Sequence, residues 1–339
     1  MAQYKVVVVG ASGAVGQEIL KVLEERNFPV GELKLCATSR SAGKEMVFKG
    51  KTYKVEETTP ASFEGMDIAL FAGGAASKEF GPLAAEKGAV VIDNSSYFRL
   101  DPEVPLVVPE VNPEDVKKHK GIIANPNCST IIMVVPLKAI YDAAGIKRVV
   151  VSTYQAVSGA GAEGISELTE QTGAVLEGKT FAPSKFQYQI AFNLIPHIDV
   201  FQEMDYTKEE WKMVKETRKI LQDDTIAITA TTVRVPVYRS HSESINVETK
   251  RKMTANEARE VLSKFPGVIV EDDPAEKRYP MPLFTSGRDE VFVGRIREDN
   301  SLDNGLNLWV VADQLRKGAA TNAVQIAELV IKYGCLGKR

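Results

Sequence analysis

The sequence predicts an α/β protein whose first half is a doubly wound parallel sheet, and three observations carry that expectation. Residues 5–10, Lys-Val-Val-Val-Val-Gly, form a continuous β-branched run, the pattern of a strand buried on both faces. Further apolar runs at 67–72 and 89–93 are separated by a helical pattern at 77–87, and alternation at this spacing indicates a parallel sheet. At 339 residues the chain exceeds the size at which one core keeps growing, so two domains are expected.

Composition narrows the function classes. Apolar residues make up 44% and charged residues 26%, which excludes the disordered and fibrous classes. The net charge of −3 is spread along the chain, so neither a nucleic-acid face nor a membrane-binding face is expected. Cys36, Cys128 and Cys335 are too few and too far apart for a disulfide framework or a Cys-x-x-Cys metal site, and a reduced, cytoplasmic setting is expected. No run approaches the length of a membrane span, and Met1 is expected to lead directly into a strand rather than into a signal peptide.

Each element of the first half has a local reason. After the first strand comes Gly10-Ala-Ser-Gly13-Ala-Val-Gly16, then an amphipathic segment at 17–26. Strand, glycine turn and helix in this order suit a dinucleotide, whose pyrophosphate rests on the helix N-terminus; the alternative is a plain tight turn. At the end of the second strand, 33–37, an NAD site would place an acid for the ribose hydroxyl. This chain has Thr38-Ser39-Arg40-Ser41, which suits a 2′-phosphate and favours NADP, unless Arg40 is a solvated loop residue. Cys36 falls within that strand and reads as core. Gly73-Gly74 and Asn94-Ser95-Ser96 lie at C-terminal strand ends, where such sheets bind ligands. Just beyond them, Arg99 is a candidate anion clamp or a surface arginine.

The stretch Asn125-Pro126-Asn127-Cys128-Ser129-Thr130 turns into an apolar helical segment at 131–144. Pro126 ends what precedes it, Asn127 is a good N-cap, and Cys128 falls in the first turn, where the helix dipole stabilises a thiolate. That arrangement makes a nucleophile; a small buried hydrophobe is the competing reading.

Farther on, a strand at 148–154 runs into Gln155 and a glycine-rich turn, which would let the Gln155 amide orient a substrate. Residues 178–205, containing Pro183 and Pro196, read as a long ordered loop. Thr207 and Glu210 form a capping box opening a helix to about Leu221, which accounts for Glu210. Glu209 and Lys212, three apart, read by default as a surface ion pair. The β-branched run at 229–238 contains Arg234, and His241 follows it by seven residues, which would place the two on opposite sides of an unbroken strand. Pro236 and Arg239-Ser240 could supply a bend that brings them to one site. Of three histidines, with His119 in a charged run and His197 after Pro196, His241 is the best general-base candidate. Strands at 290–297 and 305–312 precede a last helix at about 313–333, expected to pack back onto the first domain. Cys335 lies beyond it with no expected role.

The glycine-rich turn, the helix-start cysteine in Asn125-Pro-Asn-Cys-Ser-Thr130, Gln155 and the Arg234…His241 segment, in that order, resemble the aspartate-semialdehyde dehydrogenase family over essentially the whole chain. The resemblance implies a Rossmann-like NADP-binding domain at 1–127, completed by the C-terminal segment at about 313–339. It also implies an α+β catalytic and dimerisation domain at 128–312, and a homodimer. Cys128 would form a thioacyl enzyme, with His241 as acid/base and Gln155 orienting the substrate. Arg234 would hold the substrate carboxylate, Glu209 its amino group, and Arg99 and Lys212 the phosphate, overriding the surface-pair reading of Glu209 and Lys212, with Asn127 also among the substrate-binding residues. Gly10, Ser12, Gly13, Ala14, Val15, Ser39, Arg40, Ser41, Ser158, Gly159 and Gln314 would line NADP. The implied reaction is reductive dephosphorylation of L-aspartyl 4-phosphate to the semialdehyde, on the route to lysine, threonine, methionine and isoleucine, with no metal. Relatives acting on glyceraldehyde 3-phosphate or N-acetylglutamyl phosphate would use the same cysteine and cofactor, and a noncatalytic NADP-binding redox sensor is the alternative from another class.

Overall fold

The structure, a computed structural model, describes residues 2–337; Met1 of the expected first domain and residues 338–339 of its expected C-terminal segment lie outside them. The chain divides into two compact units, Met1–Asn127 with Ala319–Arg339, and Cys128–Gly318.

The first unit opens with β1 (Tyr4–Val9), whose valines Val6 to Val9 are at most 1% exposed, as a strand covered on both faces requires. α1 (Ala14–Glu25) begins ahead of the apolar periodicity, because the extended backbone at Gly13 lets the small residues Ala14 and Val15 form its first turn. There follow β2 (Val30–Ala37), a polar antiparallel hairpin of β3 (Glu45–Phe48) and β4 (Lys51–Lys54), and the short β5 (Glu56–Glu57). β6 (Ile68–Phe71), α2 (Ala75–Glu86), β7 (Val90–Asp93) and β8 (Ile122–Ala124) complete the run. The sheet order is β5-β2-β1-β6-β7-β8 and every pairing is parallel. Strand order reverses between β1 and β6, the place where such sheets open a crevice at their C-terminal ends.

The C-terminal helix Thr321–Lys332 belongs to this unit. Its Ala323, Val324, Ile326, Ala327 and Val330 join Ile19, Val22 and Leu23 of α1 in one core. Each large apolar side chain so buried contributes about 1.5–3 kcal/mol. The helix starts later than the sequence pattern suggests, because Arg316–Ala320 form a turn of π-helix ahead of it. The second unit accordingly reaches Gly318, beyond the expected boundary at 312. Cys335 is fully buried in the same core, and the His119 ring lies 3.1 Å from its carbonyl.

The second unit begins with α3 (Cys128–Ala144) and β9 (Ile146–Gln155). α4 (Ala162–Leu176), α5 (Lys208–Leu221), β10 (Ala227–Arg234) and β11 (His241–Thr249) follow, then α6 (Ala255–Ser263), β12 (Val268–Val270) and α7 (Pro282–Thr285). β13 (Val291–Glu298) and β14 (Gly305–Ala312) close a mixed sheet of order β10-β9-β11-β14-β13-β12. α3 packs on β9, β11, β13 and β14 and is buried nearly all round, which is why its sequence lacks a polar stripe. On the other face of the sheet, Tyr154 and Trp309 pair with ring centroids 5.4 Å apart, and Tyr154 is 37% exposed. Residues 178–202 form no helix or regular strand, in keeping with the proline-punctuated sequence.

Candidate active site

Three strand ends meet in the second unit. Arg234, last in β10, is in register with Gln155, last in β9, while on the other side of β9 the strand β11 starts at His241. The chain turns through residues 235–240, with Ser240 in the left-handed region at φ 74, so β10 and β11 are separate strands and the parity argument against a shared site does not apply. Gln155 Nε2 donates to Glu209 Oε1 at 3.2 Å and lies 3.4 Å from His241 Nε2. Arg234 Nη1 donates to the Ala156 carbonyl at 2.7 Å. Gly159 fits beneath them because it has no side chain: a Cβ there would lie 3.1 Å from Arg234 Nη1 and 3.3 Å from His241 Cε1. Gln155, Arg234 and His241 therefore face one place.

The His241 ring has a defined proton. Its Nδ1 accepts the Ala156 backbone N–H at 3.0 Å, and since that group can only donate, the proton of the neutral ring sits on Nε2. Burial, followed by the Arg234 charge, pushes its pKa down to about 3, with Glu209 opposing, so the ring is neutral near pH 7. Burial likewise lowers the pKa of Arg234 from its ordinary value, while Glu209 and Cys128 work the other way. Two residues along β11, Glu243 is fully buried with no hydrogen-bond partner among the described residues for either carboxylate oxygen, and burial pushes its pKa well up.

α5 presents the remaining charges. Thr207 caps the helix, its Oγ1 accepting the Glu210 N–H at 3.3 Å while Glu210 Oε2 accepts the Thr207 N–H at 2.7 Å. This frees Glu209, 5% exposed, to point its carboxylate at Gln155 and at Lys212, whose Nζ donates to Glu209 Oε2 at 2.9 Å. The pair is not a surface pair. Lys212 Nζ also donates to Asp199 Oδ2 at 3.0 Å, a contact the sequence did not disclose. Burial acts against the ammonium, but Glu209 and Asp199 outweigh it and hold the Lys212 pKa above the ordinary value.

Cys128 is the first residue of α3, partly exposed, and so close to Gly318 that a Cβ on that glycine would lie 2.9 Å from Cys128 Cβ. Asn127, the preceding residue, is 5% exposed. Gln314 ties two loops of this unit: its Nε2 donates to Ser158 Oγ and its Oε1 accepts the Ser240 N–H at 2.8 Å.

In the first unit, Gly10 lies at φ 81, and its carbonyl accepts the Gly13 N–H at 3.0 Å to close the turn. A Cβ on Gly16 would lie 2.2 Å from that carbonyl oxygen. The backbone here is drawn in as far as it can go, and no side chain caps the first N–H groups of α1, which begins directly after Ser12 and Gly13. Such a cradle fits a pyrophosphate. Ser39–Ser41 form a short 3₁₀ turn after β2 with the Arg40 side chain exposed. Arg99, 7% exposed, donates to the carbonyls of Asn125 at 3.0 Å and Asn94 at 2.8 Å, bracing the loops after β8 and β7.

Comparisons with known proteins agree with this architecture. The family profile for "Semialdehyde dehydrogenase, NAD binding domain" matches residues 5–119, and that for "Semialdehyde dehydrogenase, dimerisation domain" matches residues 137–317. Together with the parallel sheet and its glycine cradle, these define the class: an oxidoreductase with an NAD(P)-binding domain and a semialdehyde dehydrogenase dimerisation domain. Aspartate-semialdehyde dehydrogenase of Aquifex aeolicus is 64% identical over 98% of this chain and 99% of its own length, and that of Bacillus subtilis is 52% identical over 96% and 97%. The crystal structure of aspartate semialdehyde dehydrogenase II from Vibrio cholerae complexed with ASA superposes with a TM-score of 0.94 at 50% identity, covering 98% of this chain and 99% of that one. The Candida albicans enzyme with NADP gives 0.73 at 27% identity, over 97% and 99%. The chain belongs to the aspartate-semialdehyde dehydrogenase family.

Proposed function

We propose that the chain catalyses the NADPH-dependent reductive dephosphorylation of L-aspartyl 4-phosphate to aspartate semialdehyde, and its reverse. The observation that carries this reading is the convergence of Gln155, Arg234 and His241 above Gly159, with Glu209 bonded to the Gln155 amide. A guanidinium and a carboxylate on one site match the carboxylate and ammonium of an amino acid, a pairing that glyceraldehyde 3-phosphate lacks altogether and N-acetylglutamyl phosphate lacks at its acylated nitrogen.

In this reading the Cys128 thiolate, favoured by its place at the start of α3, attacks the acyl carbon, and the C–O bond to phosphate breaks. NADPH, when bound, supplies the hydride that reduces the resulting thioester. The tetrahedral adduct then collapses, releasing the aldehyde and returning the thiolate; the departing phosphate takes up one proton, so the cycle consumes one proton in this direction. His241, with its proton on Nε2, serves as the donor toward the oxygen where negative charge develops, and Gln155 orients the same carbonyl. Arg234 holds the α-carboxylate, Glu209 the ammonium, and Lys212, a point charge without fixed orientation, the phosphate. Ser12 to Val15 serve the pyrophosphate and Ser39, Arg40 and Ser41 the 2′-phosphate. The exposed Tyr154 and Trp309 face of the second sheet is the surface through which we propose that two copies associate.

The test is phosphate-dependent NADP reduction with aspartate semialdehyde, glyceraldehyde 3-phosphate and N-acetylglutamate semialdehyde compared side by side. Turnover of either competitor with none of aspartate semialdehyde overturns the assignment. NADP binding without turnover of any of the three points to the sensor instead.

A further inference from the structure

We propose that Asp199 sets the charge of the substrate site: by sharing the Lys212 ammonium, it leaves Glu209 enough negative charge to take the substrate's ammonium, and it weakens phosphate binding in doing so. The inference rests on the roles of Glu209 and Lys212 given above.

The geometry has three parts. Lys212 Nζ divides its donors between Asp199 Oδ2 at 3.0 Å and Glu209 Oε2 at 2.9 Å. An ammonium has three donors, so one remains for an incoming phosphate oxygen. Asp199 is not a passing loop residue. Its backbone is left-handed at φ 68, its Oδ1 accepts the Val200 N–H at 2.9 Å, and the Val200 carbonyl accepts the Lys208 N–H of α5 at 2.8 Å. The loop is thus tied to the helix that carries Lys212, one turn before it. Their side chains are 29% and 17% exposed, so screening is incomplete.

The charge balance gives the consequence. Glu209 with Lys212 alone is a neutral pair and attracts an ammonium weakly. Asp199 makes the trio net negative, which favours the ammonium of the amino-acid end and disfavours phosphate at Lys212. A residue that only held the loop in shape would affect both ligands in the same sense.

Asp199→Asn keeps the shape, tolerates the left-handed backbone and still accepts the Val200 N–H, so it isolates the charge. The KM for phosphate should fall about fivefold and the KM for aspartate semialdehyde should rise about fivefold, the size of a partly exposed charge pair, with the KM for NADP unmoved. Should Asp199→Asn fold poorly, Asp199→Gly, which bears positive φ without strain, asks the same question. Two KM values moving together, or neither moving, overturns the proposal. Calorimetric titration with inorganic phosphate alone separates it from the substrate assignment. A wild-type chain inactive on aspartate semialdehyde defeats that assignment, whereas equal phosphate affinity in wild type and Asp199→Asn defeats the role of Asp199.

Discussion

Gln155, Arg234 and His241 sit at buried strand ends and are held by hydrogen bonds to backbone and to Glu209, whereas the Gly10 to Gly16 turn works through what its residues lack. The first region offers side chains with fixed protons and charges. The second offers bare N–H groups and room. The contrast teaches that the two tolerate opposite kinds of change: removing atoms should ruin the second unit's site with little effect on folding, and adding a single methyl should ruin the turn.

The largest effect should come from Cys128→Ala. Loss of the nucleophile should lower kcat by roughly four orders of magnitude or more, while NADP binding, followed by fluorescence titration, persists. An active alanine variant would sink the thioacyl route. Next, Arg234→Leu should cost about 2–5 kcal/mol of transition-state binding, so kcat/KM for aspartate semialdehyde should drop by roughly two orders of magnitude or more. Arg234→Lys should recover little, because the bidentate fork is gone; a lysine variant near wild type would place the carboxylate elsewhere.

The turn can be broken from the other direction. Gly16→Ala puts a Cβ 2.2 Å from the Gly10 carbonyl, and the forced shift should cost about 1–3 kcal/mol, seen as a lowered Tm together with weaker NADP binding. The control is Gly173→Ala in α4, where nothing lies within 4 Å, which should be neutral or stabilise by about 0.5–1 kcal/mol. Equal behaviour of the two glycines would erase the contrast. The smallest effect is expected for the exposed Arg40: Arg40→Ala should weaken NADP by about tenfold and leave NAD nearly unchanged, and equal losses for both cofactors would remove Arg40 from the phosphate.

The sequence disclosed most where one residue type has one physical explanation. Four buried valines can hardly be anything but an interior strand, and the Thr207 and Glu210 capping box marks the start of α5 to the residue. It disclosed less where conformation departs from the usual preferences. α4 went unread because Gly161, at φ 88, precedes it in place of a capping side chain. The bend that unites Arg234 and His241 turns on Ser240, a non-glycine residue in the left-handed region, which no local pattern announces. Asp199 was hidden for the same reason, since its partner Lys212 lies across an irregular loop. The default reading of Glu209 and Lys212 as a solvated pair fails because spacing on a helix gives the face, not what covers it. β3, β4 and the three-residue β8 are too polar or too short for periodicity to register.

The two-piece construction of the first unit has a consequence in time. Asn322 of the C-terminal helix donates to the Val107 carbonyl at 3.0 Å and to Asn125 Oδ1 at 2.7 Å, so the loop leading to Cys128 gets its support from residues that follow the whole second unit. During synthesis, at about 5–20 residues per second, the intervening Cys128–Gly318 stretch keeps Ile19, Val22 and Leu23 without their cover for on the order of ten seconds or more. All six strands of the first unit's sheet have been made by then, and only their C-terminal cover is missing. Until the last helix emerges, that uncovered face presents apolar surface of the kind chaperones bind.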